Sequence, residues 1–124
     1  MAVGWNIESL LSAGTVSGLT TEIYDGEIPQ QGTYPAIEIS DFSDSEYCKD
    51  GEGAEVFTVT LIAWGDYKSD LEDIIDAAKI DLIGAPKYIN GSRIKGIKFE
   101  GRQPWLRDEE KRKWGRPADF QVLT

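Results

Sequence analysis

Apolar and polar positions alternate most clearly between Glu55 and Trp64, where Phe57, Val59, Leu61 and Ala63 fall on one face and Thr58, Thr60 and Ile62 on the other. Strand side chains point alternately to opposite sides, so this spacing predicts a strand, and its aromatic and β-branched content agrees. Tyr34–Ser40 alternates in the same way, with Ile37 and Ile39 on one face and Ala36 and Glu38 on the other. Pro35 has no N–H to give to a ladder, which suits the start of a strand or an edge. Three further strands are predicted: Leu19–Tyr24 (closed by Asp25-Gly26), Arg93–Glu100 and Ala118–Leu123. The last two turn Ile97, Phe99, Phe120 and Val122 inward.

Elsewhere the period is helical. Leu71, Ile74, Ile75, Ala78, Leu82 and Ile83 recur at three- and four-residue spacing, with Asp70, Glu72, Asp73 and Asp76 facing away. Ser69 and Glu72 fit a capping box, and Gly84-Ala-Pro86 ends the pattern. A shorter helix is predicted over residues 5–13 from Trp5, Ile7, Leu10 and Leu11, with Gly14 as its stop. Asn90-Gly91 signals a tight turn. Asp41–Gly53 reads as a long polar loop or an extended hairpin tip, and Gly101–Gly115 as a charged connection holding Trp105 and Trp114. Strands that follow one another without helices between them predict an α+β fold, a mainly antiparallel sheet of about 4–5 strands with two helices packed on one face. No repeat or linker interrupts the pattern, so residues 1–124 are expected to form a single domain.

Composition narrows the function classes. The chain has no histidine, which removes the commonest general base and zinc ligand. Cys48 is the only cysteine, so no internal disulfide is available. Its acidic neighbours would raise its pKa, which fits an incidental surface thiol better than a nucleophile. The longest apolar runs fall far short of a membrane span, and the N-terminus lacks the basic start and apolar stretch of a secretory signal.

The net charge is −9, and nucleic-acid surfaces need positive potential, so no specific nucleic-acid partner is expected. The charge is unevenly spread. Residues 38–55 carry seven acids, Asp41, Asp44, Glu46, Asp50 and Glu52 among them, against Lys49. Residues 93–116 carry nine basic residues, including Arg102, Arg107, Lys111 and Arg112, against four acids. Opposite charge on separate segments suits self-association.

Candidate chemistry does not hold up at the level of spacing. An EF-hand loop begun at Asp44 places Cys48 at its fifth position and Lys49 where glycine is required. Asp70, Glu72 and Asp73 lie on the first turn of a helix, where capping explains them. Gly51-Glu-Gly53 is too short for a phosphate loop. No catalytic, metal or cofactor residues are therefore assigned. Trp105 and Trp114 interleaved with Arg102, Arg107, Lys111 and Arg112 have the composition of a protein–protein hot spot, while Asp108, Glu109 and Glu110 dilute any nucleic-acid reading. A plain hairpin with its tryptophans folded onto the sheet is the competing account of the same residues.

Taken in order, Glu22-Ile-Tyr24, the Tyr34-Pro35-Ala-Ile-Glu-Ile entry, Phe57-Thr-Val-Thr-Leu-Ile-Ala-Trp-Gly65 running into the helix, and the terminal Pro117-Ala-Asp-Phe-Gln-Val-Leu resemble the tail terminator or tail completion proteins of long-tailed bacteriophages and prophages. The resemblance covers most of the chain and includes no catalytic signature. It implies an α+β structural protein of the virion tail, assembled in the host cytoplasm. Such a protein is expected to form a hexameric ring that caps the head-proximal end of the tail tube, with the major tail tube protein and the head–tail connector as partners. Acidic lumen walls would repel DNA passing through the ring. The basic 102–116 segment departs from that family's pattern. A small regulatory protein-binding module is the alternative from another class, and an enzyme working with carboxylates alone is a third.

Overall fold

The computed structural model describes residues 14–26, 28–29, 32–47, 55–83, 87–89, 92–94 and 96–123, together with Ile7 and Leu11. A 3-10 turn, Thr15–Gly18, leads to β1 (Ile23–Asp25), β2 (Ala36–Tyr47) and β3 (Glu55–Gly65). The helix α1 (Lys68–Leu82) follows, then β4 (Lys87–Ile89), β5 (Ser92–Ile94), β6 (Gly96–Arg102), β7 (Leu106–Asp108) and β8 (Lys113–Leu123).

Six strands form one sheet in the order β1-β2-β3-β8-β6, with β7 also paired to β8. The apolar strands β3 and β8 lie antiparallel at its centre, Val59 opposite Phe120 and Leu61 opposite Ala118. β2 runs antiparallel to β3, and its register carries Ile37 and Ile39 opposite Ala63 and Leu61. The β4–β5 hairpin is a separate two-stranded sheet. Its turn residues Asn90 and Gly91 lie outside the described residues, and the flanking strands pair with Ile89 opposite Ser92.

One face of the sheet carries the core. Ile37, Ile39, Val59, Leu61, Ala63, Ala118, Phe120 and Val122 meet Leu71, Ile74, Ile75, Ala78 and Leu82 of α1, all of them essentially inaccessible to water. Ile7, Leu11 and Val16 join the same cluster. Each large aliphatic or aromatic side chain buried in this way contributes about 1.5–3 kcal/mol.

This architecture corrects the expected one. Among the described residues there is one α-helix on a six-stranded mixed sheet, not two helices on a mainly antiparallel sheet of four or five strands. The sheet is mixed because β1 runs parallel to β2, with Ile23 opposite Ile37 and Asp25 opposite Ile39. Following strands were expected to pair as a hairpin. Here the stretch between Asp25 and Ala36 is long enough to carry the chain back to the start of β1 before β2 begins. The extra strand is β7, three residues inside the segment taken as a connection, and too short to show alternation. The shorter helix predicted over residues 5–13 falls mostly outside the described residues. Of it, Ile7 and Leu11 are described, helical in backbone and fully buried.

The start of α1 also differs. Tyr67 occupies the N-cap without a side-chain hydrogen bond, and Ser69 lies inside the helix. The capping box does not form, because the Glu72 carboxylate turns toward Arg102 and Arg116 instead. The polar stretch after Ser40 continues as strand to Tyr47, with a register shift between Phe42 and Glu46.

Candidate protein interface

The pleat that sends Val59, Leu61 and Ala63 to the core sends Thr58, Thr60, Ile62 and Trp64 to the opposite face. By register, Glu38, Ser40, Gly115, Pro117, Asp119 and Gln121 share that face. No element among the described residues crosses it. Glu38, Ser40, Thr58, Ile62, Trp64 and Asp119 are half-buried there, neither sealed from water nor fully in it.

Polar groups on this face are largely paired with one another. Thr60 Oγ1 donates to Asp119 Oδ1 at 2.6 Å, and Gln103 Nε2 donates to Asp119 Oδ2 at 2.6 Å. Trp64 Nε1 donates to Glu38 Oε1 at 3.0 Å. The indole lies over Gly115, where a Cβ would sit 2.7–2.9 Å from its six-membered ring. These bonds engage the carboxylates of Glu38 and Asp119. A trough of about 670 Å³ on this side is lined by the apolar Ile62, Pro104, Leu106 and Pro117 together with Thr58, Thr60, Gln103 and Asp119. Leu106 is 40% exposed. Beside it, a more polar recess of about 350 Å³ is lined by Tyr34, Trp64, Glu38, Asp108, Lys111 and Lys113.

The basic segment divides between the two faces of the sheet. Ile97 and Phe99 face the core, and strict alternation would then turn residue 102 away from α1. A register shift at Gly101, whose φ is 148°, reverses the parity and places Arg102 opposite Ala118, beneath α1. Arg102 pairs there with Asp76, and Arg116 Nε donates to Glu72 Oε1 at 3.1 Å. Arg102 Nε lies 3.3 Å from the same Glu72 oxygen but is not aligned for a hydrogen bond.

Trp105 and Trp114 are half-buried against the core cluster, edge to face with centroids 6.4 Å apart. The Lys68 ammonium lies 4.1 Å from the Trp114 ring and 5.1 Å from Trp105. The Arg116 and Arg107 guanidiniums lie 4.7 Å from Trp105 and 4.8 Å from Trp114 respectively.

The residues singled out in the sequence are therefore dispersed. Arg102, Trp105 and Trp114 lie beneath or beside α1, whereas Arg107 and Arg112 are exposed and Lys111 lines the polar recess. Arg112 sits in the β7–β8 turn at φ 55°. On β2, Asp41 is opposite Val59 and Glu46 opposite Val56, with Asp44 inside the register shift. Asp50 and Glu52 lie outside the described residues. The surface residues missed were Ile62, Trp64, Pro104, Leu106, Pro117 and Asp119. For Ile62 and Trp64 the signal was the second face of the β3 alternation, whereas Pro104 and Leu106 lie in the segment expected to be a connection.

No protein-family model and no curated protein sequence matches the chain. Its fold is similar to that of a chain from the virion of a native gene transfer agent particle, with a TM-score of 0.74. That likeness spans 98% of this chain and 93% of the other at 17% identity, and so is a likeness of fold.

Proposed function

We propose that this chain is a structural protein of a virion, with residues 1–124 acting as one domain that assembles with other virion proteins and carries no catalytic activity. The observation that carries this reading is the fold shared almost end to end with a chain of the gene transfer agent virion. The uncovered sheet face supports it, since its apolar trough offers contact area and its carboxylates are engaged by neighbouring donors.

More finely, we read it as a tail terminator. A hexameric ring would cap the head-proximal end of the tail tube and join it to the head connector. The order of strands and helix in the sequence supports this finer reading. The net charge of −9 would suit a ring through which DNA passes without sticking.

Light scattering over a wide concentration range, with electron microscopy of the same samples, tests the ring. Closed six-membered rings that grow in with concentration are expected. A strict monomer at the highest soluble concentration would remove the terminator reading. Deleting the gene from its parent genome tests the virion role separately, with unjoined heads and tails as the expected result and normal particles as the contrary one.

A further inference from the structure

Lys68 is the first residue of α1, where the helix dipole disfavours a cation. What surrounds it offsets that placement. Its ammonium lies against the rings of both Trp114 and Trp105, and Arg107 and Arg116 lie on rings of the same pair. Arg107, Trp114, Lys68, Trp105 and Arg116 thus form an alternating ladder of cations and aromatic rings that joins the helix start to the β7–β8 hairpin.

Other fastenings of the β7 arm, residues 103–112, lie at its base. There the Gln103 N–H donates to Pro117 O and Arg116 Nη1 to Gln103 O, both at 2.9 Å, and Trp105 packs on the core cluster. β7 makes three register pairs with β8, from Leu106 opposite Gly115 to Asp108 opposite Lys113. Leu106 and Arg107 are exposed, as are Glu109, Glu110 and Arg112 of the turn. Beyond the ladder, Lys113 Nζ reaches Asp66 at 2.7 Å and the Lys111 N–H caps onto Asp108. The neighbouring β6 differs in kind. It pairs along most of its length with β8, buries Ile97, and packs Phe99 edge to face on Phe120 at 5.3 Å. Segments held by few buried apolar contacts open locally long before the whole fold does.

We infer that the β7 arm is a latch, closed by the contact of the Lys68 ammonium with Trp105 and Trp114, and able to lift from β8 while β8 stays paired to β3. Opening would free the Trp105 indole with the exposed Arg107 and Arg112, while Trp114, opposite Gly65 of β3, stays in place. Use of the freed side chains in docking rests on the virion reading above, but the latch itself does not.

Hydrogen exchange of the isolated chain, read by mass spectrometry on peptides, tests it in three forms of the protein. Lys68→Met keeps the stem and removes the charge, whereas Lys68→Arg keeps a cation for the rings. Removing two cation–aromatic contacts should speed exchange across residues 103–112 about tenfold. Peptides over Val59–Trp64 and Ala118–Val122 should be unchanged, and Lys68→Arg should restore protection. Unchanged exchange across the arm in Lys68→Met would overturn the latch. So would acceleration of arm and central strands together, since the arm would then not open separately. Because no assembly is involved, failure here leaves the ring experiment untouched, and failure of the ring leaves this one readable.

Discussion

Asp81 reaches from the last turn of α1 to the chain entering the fold, where its carboxylate accepts the backbone N–H groups of Thr15 and Val16 at 2.6 and 2.8 Å. Charge-assisted acceptors of this kind are worth more than neutral ones. Asp81→Ala should therefore cost about 2 kcal/mol in urea unfolding, and Asp81→Asn, which keeps one acceptor, about half of that. A smaller loss for the alanine than for the asparagine variant would contradict the account. Tyr24 gives a second, pH-dependent expectation. Its hydroxyl donates to Glu22 Oε2 at 2.7 Å. That bond, then desolvation and the charge of Glu22, raise its pKa above the ordinary 10.0. The folded chain thus holds this proton more tightly than the unfolded chain. The resulting stabilisation is complete below pH 10.0 and is lost as pH rises through the raised folded value. Ultraviolet titration of tyrosinate should show a late-ionising component that Glu22→Gln moves back toward the ordinary value. The Asp81 contact was not legible in the sequence, because Asp81 and the N–H groups it serves lie 65 and 66 positions apart.

At the scale of elements, Glu72 ties α1 to the sheet edge through Arg116 and Arg102, whose side chains are only 18% and 24% exposed. Glu72→Gln removes the charge that faces both guanidiniums, so unfolding free energy should fall by about 1–2 kcal/mol, with less effect in high salt. Equal losses at low and high salt would show that packing, not charge, joins these elements. This contact also shows where the reading of the sequence stopped. Apolar periodicity gave β3 and α1 closely and β8 only from Ala118 on. Val59, Leu61, Phe120, Leu71 and Ile75 each fill the core side that their spacing implies, while Lys113–Pro117 carry no apolar alternation. It ran β5 and β6 together as one strand, Arg93–Glu100, and stopped short of Gly101 and Arg102. The register shift at Gly101 is set by backbone pairing with β8, and no spacing of side chains announces it. The parallel β1–β2 pair was hidden for a similar reason. Alternation shows which residues share a face and says nothing of the direction in which two strands meet.

For the whole molecule, the question is what the sheet face opposite α1 is for. Antiparallel strands often leave one face in water, and Thr58 and Thr60 are residues suited to that. The same face also carries Ile62, Pro104, Leu106 and Pro117 around one trough, which solvation alone does not require. The two accounts part under substitution. Ile62→Lys and Leu106→Lys change side chains that are half-buried and 40% exposed, outside the core cluster, so the unfolding free energy of the isolated chain should move by no more than about 0.5 kcal/mol. If the trough is an assembly surface, each variant should weaken association at least about tenfold, because a buried lysine without a partner is costly in an interface. Arg112→Asp, in a turn whose positive φ aspartate tolerates, is the control for a general loss of positive charge. Weakened assembly in the two lysine variants with Arg112→Asp unchanged would mark the trough as the contact. If Arg112→Asp alone weakened assembly, the contact would belong to the hairpin tip and the bare face to solvent.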